Sequence, residues 1–308
     1  MHCPSLLLVF VLVALPAFLN SVPAGGRMIV DDLGFAVSVQ ADIRRVVSLV
    51  PTNSEMVCLL DCARLKGGTR YDEFPPELKT RRRAKQIEII GGGFDANLEK
   101  IVQLQPDLIL TNGPTQQRFA VPLKNLGFSV LSIWPRDIAA LTKDFLLLGD
   151  LLGQTPKAQG MIEDTQRRFA VIAAVAKAKP RKKAYLQMWT EPLITVGKLS
   201  FTDWLVAAAG GINVFGDLPF DSAQISLESL IQRDPEVLIF LAEQEPFVKT
   251  LARRPGWSSI RGVRSAHFCF IDEADIRRSI DFLHGLAKIQ DCLFRDRPGS
   301  RTIPPEGK

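Results

Sequence analysis

The sequence predicts an α/β protein of two Rossmann-like lobes, each built on a parallel sheet, joined by a single long helix. Two observations carry that expectation. The first is a repeat: Leu98-Glu99-Lys100-Ile101-Val102-Gln103-Leu104-Gln105-Pro106-Asp107-Leu108-Ile109-Leu110 aligns without a gap on Leu227-Glu228-Ser229-Leu230-Ile231-Gln232-Arg233-Asp234-Pro235-Glu236-Val237-Leu238-Ile239. Leu, Glu, Gln and Pro recur at identical places, and apolar positions meet apolar positions. Each copy reads as a short helix, a Pro-acid turn and a buried strand. The copies lie much farther apart than the about 20–50 residues of a solenoid unit, so they mark two similar lobes, each with one glutamate at the same place. The second observation is the alternation of strands with helices along the chain, the pattern of a parallel sheet covered on both faces. A chain of 308 residues that is 46% hydrophobic has enough apolar material for two cores.

In chain order, residues 1–24 read as a secretory signal, with an apolar run over 5–19 and small residues at Val22-Pro23-Ala24. No Lys or Arg precedes that run, so an uncleaved anchor is the alternative. The first lobe, residues 25–154, begins with a leader containing Asp31-Asp32-Leu33-Gly34. The strand Val46 to Val50 follows, ended by Pro51, and Thr52-Asn53-Ser54-Glu55 reads as a capping box for a helix to about Leu65, stopped by Gly67-Gly68. Next come the Tyr71-to-Pro76 loop, the strand Gln86 to Ile90, the turn Gly91-Gly92-Gly93-Phe94 and the first repeat copy. A helix near Gln116 to Leu126, the strand Phe128 to Ile133 and a helix from Asp137 to Leu152 complete the lobe. Thr155-Pro156 opens the linking helix, residues 155–179, with Thr155 as cap. The second lobe, residues 180–296, starts with the strand from Lys183. Ser200 caps a helix that Gly210-Gly211 ends, the second repeat copy follows, and the strand His267 to Ile271 leads to a helix near Ile280 to Phe294. Residues 297–308 read as a disordered tail.

Charge and cysteine content narrow the function. The net charge of +5 comes from small basic clusters without interleaved aromatics, which read as solvated surface and argue against nucleic acid as a partner. Of five cysteines, Cys3 lies in the expected signal, ahead of its apolar run. Cys58 and Cys62, four apart on one expected helix, read as two small buried side chains rather than a bridge. Cys269 and Cys292 could pair in an oxidising compartment or remain free buried thiols. No zincin His-Glu pair, Gly-x-Ser-x-Gly elbow or Walker loop is present, and no His/carboxylate cluster offers a metal site, so catalysis and metal chemistry are not expected. Gly91-Gly92-Gly93 reads as a tight turn whose backbone can approach a ligand.

Aromatics gather at strand ends instead: Tyr71, Phe74, Phe94, Trp134, Trp189, Phe201 and Trp204. Ligands of open α/β sheets bind beyond the carboxyl ends of the strands, so these loops could line a cleft between lobes. Trp204 and Trp257 read as core. Glu99 and Glu228 fall in first turns after the caps Asn97 and Ser226, where a carboxylate complements the helix dipole. Their duplication adds a second role, a pair of negative knobs for a two-fold-symmetric basic partner.

At this point the chain resembles the periplasmic substrate-binding proteins of ABC importers for cobalamin, haem and ferric siderophores. The resemblance rests on Ser48-Leu49-Val50-Pro51-Thr52-Asn53-Ser54-Glu55, Phe74-Pro75-Pro76, Asn97-Leu98-Glu99 with Gln105-Pro106-Asp107, Gly210-Gly211-Ile212-Asn213-Val214-Phe215 and Pro255-Gly256-Trp257, together with the Asp31-Asp32-Leu33-Gly34 leader. It implies a rigid linking helix, a monomer outside the cytoplasm, and docking of Glu99 and Glu228 onto arginines of a permease dimer. It also implies a metal chelate between the lobes, cobalamin first, with Tyr71, Phe74, Phe94, Trp189 and Phe201 as ligand contacts. Gly93 departs from the pattern, with Phe94 as a substitute aromatic. Arg277-Arg278-Ser279 departs too and adds two cations for anionic ligand groups, which keeps haem or a carboxylate siderophore as the alternative cargo. A secreted two-domain enzyme with its site in the same cleft is the alternative from another class.

Overall fold

The computed structural model describes residues 26–295; the expected signal and tail lie outside them. Its strands are β1 Arg27–Val30, β2 Ala36–Val39, β3 Val46–Ser48, β4 Leu65–Gly68, β5 Glu88–Ile89, β6 Leu108–Thr111, β7 Val130–Ser132, β8 Lys182–Trp189, β9 Ile194–Val196, β10 Gly211–Asn213, β11 Ser222–Gln224, β12 Val237–Leu241 and β13 Phe268–Ile271. The first lobe holds the parallel sheet β5-β4-β3-β6-β7. The second sheet corrects the expectation of an all-parallel pair. β10, β8, β12 and β13 run parallel, but β9 pairs antiparallel with both β8 and β11, because β8 turns straight back into β9 at Thr190–Leu193, too short a connection for a crossover.

Successive residues of the central strands serve opposite faces. Leu108 and Leu110 join one core while Ile109 joins another, and Val237, Ile239 and Leu241 separate in the same way from Leu238 and Phe240. One apolar core runs without a break from the first lobe to the second. It includes Ala158 and Ile162 of the helix Thr155–Lys177, which with the helix Ile138–Leu151 separates the two sheets in sequence. That helix packs on Ile138–Leu151 so closely at Gly149 that an added Cβ would come 2.5 Å from the Cβ of Ala158. Gly160 is the opposite case: a Cβ there meets nothing within 4 Å. Gly160→Ala is therefore expected to stabilise the protein by about 0.5–1 kcal/mol, measured as a higher thermal midpoint.

The repeat is carried into backbone detail. The side chains of Asn97 and Ser226 accept from the amides of Lys100 and Ser229, capping Leu98–Gln103 and Leu227–Arg233. Gln105 and Asp234 then take the left-handed region, with φ of 44° and 43°. Asp107 Oδ2 accepts from the amides of Arg44 and Arg45 at 2.8 Å, and Glu236 Oε2 from the amide of Lys183 at 3.0 Å, so each copy's acid ties its strand to the start of a neighbouring strand, β3 beside β6 and β8 beside β12.

Several local expectations are corrected. The first helix spans Pro51–Asp61 and starts at Pro51 behind Val50, with no side-chain cap, so Thr52 and Glu55 form no capping box. The helix stops earlier than expected, and Gly67-Gly68 lie in β4. A Cβ on Gly67 would meet Leu104 at 2.7 Å, and one on Gly68 the Asp72 carboxylate. Asp61 is extended, with φ −153° and ψ 91°, so Cys62 leaves helical spacing, and its sulfur is bonded to that of Cys58. Cys269 and Cys292 are also bonded. The linking helix is preceded by Gln154, not capped by Thr155.

The Asp31-Asp32-Leu33-Gly34 leader connects β1 to β2 and pins this hairpin to the first lobe. Asp31 accepts from the amides of Leu33 and Phe35, and Asp32 Oδ2 from the amide of Trp134 at 2.6 Å. Burial, and then the neighbouring Asp32, push the carboxyl of Asp144 beneath it up to about 8.

Candidate functional site

Between the lobes, past the carboxyl ends of β3, β6 and β8, lies a cleft of about 910 Å³. The first lobe lines it with Tyr71, Phe94 and Gln116, the second with Trp189, Glu273 and Arg277. Three of these are large aromatics held open to solvent: Tyr71 is 56% exposed, Phe94 74% and Trp189 58%. Leaving this much apolar ring in water costs free energy, and a flat ligand between the rings would recover it.

Each ring is held by local chemistry. The Arg70 guanidinium lies 5.7 Å from the Tyr71 ring centroid and is paired with Asp95 at 2.6 Å. Arg118 lies 5.8 Å from the Phe94 centroid and donates to the Phe94 carbonyl. The Trp189 Nε1–H donates to the Glu191 carbonyl at 3.0 Å, which fixes the indole plane. The glycine run is the tight turn expected: Gly91 has φ +118°, and a Cβ would strike the Asp95 carbonyl oxygen at 2.4 Å. On Gly92 a Cβ would come within 3.0 Å of the Tyr71 ring.

Gln116 had no distinguishing mark in the sequence. It is buried, its Nε2 donates to the carbonyls of Leu49 and Gly93 at 3.0 Å each, and its Oε1 accepts from the amide of Asn112 at 2.8 Å. One side chain thus ties together the loops after β3, β5 and β6. A single amide cannot be told from any other polar residue until those loops are brought together.

Three expected ligand contacts lie elsewhere. Phe201 is fully buried at the start of the helix Phe201–Ala208, with Ser200 as cap, its ring 5.2 Å from Trp204 and 5.9 Å from Phe282. The apolar side of that helix, not the cleft, claims it. Phe74 faces two smaller cavities, of about 130 and 410 Å³, the larger beside the linking helix. Arg278 is paired with Asp221 and lies 5.6 Å from the Trp134 centroid, a contact between lobes, while Arg136 lies 4.7 Å from the same ring. Burial pushes the Arg278 guanidinium below its ordinary pKa, with Asp221 opposing.

Glu99 and Glu228 are exposed in the first turns of equivalent helices, one on each lobe. Its own backbone amide and the Ser226 hydroxyl hold the Glu228 carboxyl below its usual range. Ligand atoms of Cys58, Cys62 and Glu77 converge within 4.8 Å, but the two sulfurs are bonded to each other and cannot also hold a metal. No helix among the described residues is long and apolar enough to cross a membrane.

Residues 46–274 match the model of the periplasmic binding proteins. The chain belongs to that family. Among relatives of this periplasmic binding protein, the vitamin B12-binding protein of Salmonella typhi is 29% identical over 206 residues, 67% of this chain and 75% of that one. An uncharacterized ABC transporter substrate-binding lipoprotein of Bacillus subtilis is 23% identical over 270 residues, covering 84% and 83%. The periplasmic vitamin B12-binding protein of Vibrio cholerae superposes with a TM-score of 0.70 at 20% identity, covering 82% of this chain and 96% of that one. The periplasmic heme-binding protein of Roseiflexus gives 0.69 at 20% identity, covering 82% and 98%. At these identities the structures show a shared fold. The named relatives are binding proteins, and this chain is a binding protein rather than an enzyme.

Proposed function

We propose that this periplasmic binding protein is the extracytoplasmic receptor of an ABC importer, a monomer that carries cobalamin or a related corrinoid to its permease. The observation that carries the reading is the convergence of Tyr71, Phe94 and Trp189 from both lobes on one cleft large enough for a flat macrocycle. Charge supports a corrinoid over haem. Of the two cations offered by the Arg277-Arg278 departure, Arg277 lines the cleft, but Arg278 is already met by Asp221. Arg70 is likewise committed to Asp95, while Glu73 and Glu273 add negative charge to the walls. Such a wall suits the amide-fringed periphery of a corrin better than the carboxylates of haem. Delivery is assigned to Glu99 and Glu228, docking onto basic residues of the permease, with the linking helix limiting hinge closure.

The test is titration of the purified chain with cyanocobalamin, haemin and a ferric siderophore, following tryptophan fluorescence and the cargo's visible spectrum. Saturable binding of cyanocobalamin is expected, weakened about 10–100-fold by Trp189→Ala, the loss of one stacked ring worth about 1–3 kcal/mol. Binding of haemin alone would overturn the cargo, and binding of none would overturn the reading as a chelate receptor.

A further inference from the structure

The expected capping box at Thr52–Glu55 is absent, and Glu55 has a different partner. It is buried, and its Oε1 accepts from the Oγ–H of Ser279, a buried residue of the other lobe. The contact lines a cavity of about 130 Å³ with Phe74, Asp275, Arg277, Asp281 and His284. Arg277 belongs to this cavity and to the cargo cleft alike, so it connects the two. We propose that Glu55 is a positioning residue whose proton sets the contact between the lobes and, through Arg277, the cation presented to the cargo. Only the clause about cargo rests on the receptor reading; the contact between lobes stands without it.

The groups acting on Glu55 come from the turn that carries Ser279: Arg277 and Asp281. Asp275 and His284 stand along the same cavity wall, and Arg168 of the linking helix acts on Asp281. Burial, the largest influence, raises the Glu55 carboxyl to about 7; the Ser279 hydrogen bond opposes this, Asp281 adds to it and Arg277 opposes it. With the lobes apart, the carboxyl would return toward its ordinary value of 4.5. The apposed state therefore holds the proton more tightly, and it weakens as pH rises from about 4.5 through about 7. Ser279 can donate to either protonation state. What changes is a charge that must stay buried beside Asp281 or draw Arg277 from the cleft.

The experiment places spin labels at Glu99→Cys and Glu228→Cys in a Cys3→Ser background and measures their separation without cargo from pH 5.5 to 8. A lengthening of about 2 Å as pH rises to about 7, level above it, is expected, with no pH dependence in Glu55→Gln and a longer separation already at pH 6 in Ser279→Ala. A separation independent of pH in the parent, or a slope unchanged in Glu55→Gln, would overturn the proposal. Cyanocobalamin affinity, measured in parallel, is expected to fall with pH in the parent and not in Glu55→Gln; equal pH dependence in both would remove the link to the cleft. Failure to bind cobalamin at every pH would count against the cargo reading alone, since the label separation is read without it.

Discussion

A strain whose only receptor carries both Glu99→Ala and Glu228→Ala is expected to lose uptake of the cargo, while the purified variant binds the cargo as the parent does. The two acids stand in the first turns of helices whose caps, Asn97 and Ser226, are separate side chains, so the helices keep their starts. Neither acid lines the cleft. What is lost is a pair of charges that docking would desolvate against basic residues, a loss about a hundredfold or larger in affinity for the permease. Single variants are expected to fall between. Uptake of labelled cobalamin and capture of the permease on immobilised receptor give the two readings. Normal uptake by the double variant would mean that docking uses another surface.

The second large effect is on stability. Phe201→Ala is expected to destabilise the fold by about 3–5 kcal/mol, lowering the thermal midpoint by about 10 °C, with cargo affinity unchanged wherever the variant is folded. The ring is enclosed by Trp204 and Phe282 and leaves a void when removed. Trp189→Ala should give the reverse, a weaker complex and an unchanged melt, because its ring is more than half exposed. A loss of cargo binding by folded Phe201→Ala would show that the aromatic cluster around it shapes the cleft.

The contrast between these two rings shows what the sequence can specify. The repeat, its caps and its acids are local patterns, and the structure places Asn97 with Ser226, Glu99 with Glu228 and Asp107 with Glu236 at equivalent positions. Tyr71 and Phe94 follow strands and Trp189 ends one, so the three meet at the strand ends. Phe201 also follows a cap, but whether its ring turns to cleft or core depends on the partners Trp204 and Phe282, and Phe282 lies far along the chain. Thr52-Asn53-Ser54-Glu55 has the spacing of a capping box, yet Pro51 opens the helix ahead of it and Glu55 finds a partner in the other lobe. Gln116 is invisible for the same reason: its three partners come from loops that only the folded sheet brings together.

The duplication has a consequence for encounter. On the proposed docking, a partner made of two identical halves would meet a receptor whose two lobes carry the same acid, in the first turn of a helix after equivalent caps, with Lys100 beside one and Ser229 beside the other. To such a partner the receptor is nearly palindromic: it can land either way round. That doubles the fraction of collisions in a usable orientation before any residue at the surface is improved. Lys100 is then a mark of handedness, the side chain by which one way of landing differs from the other.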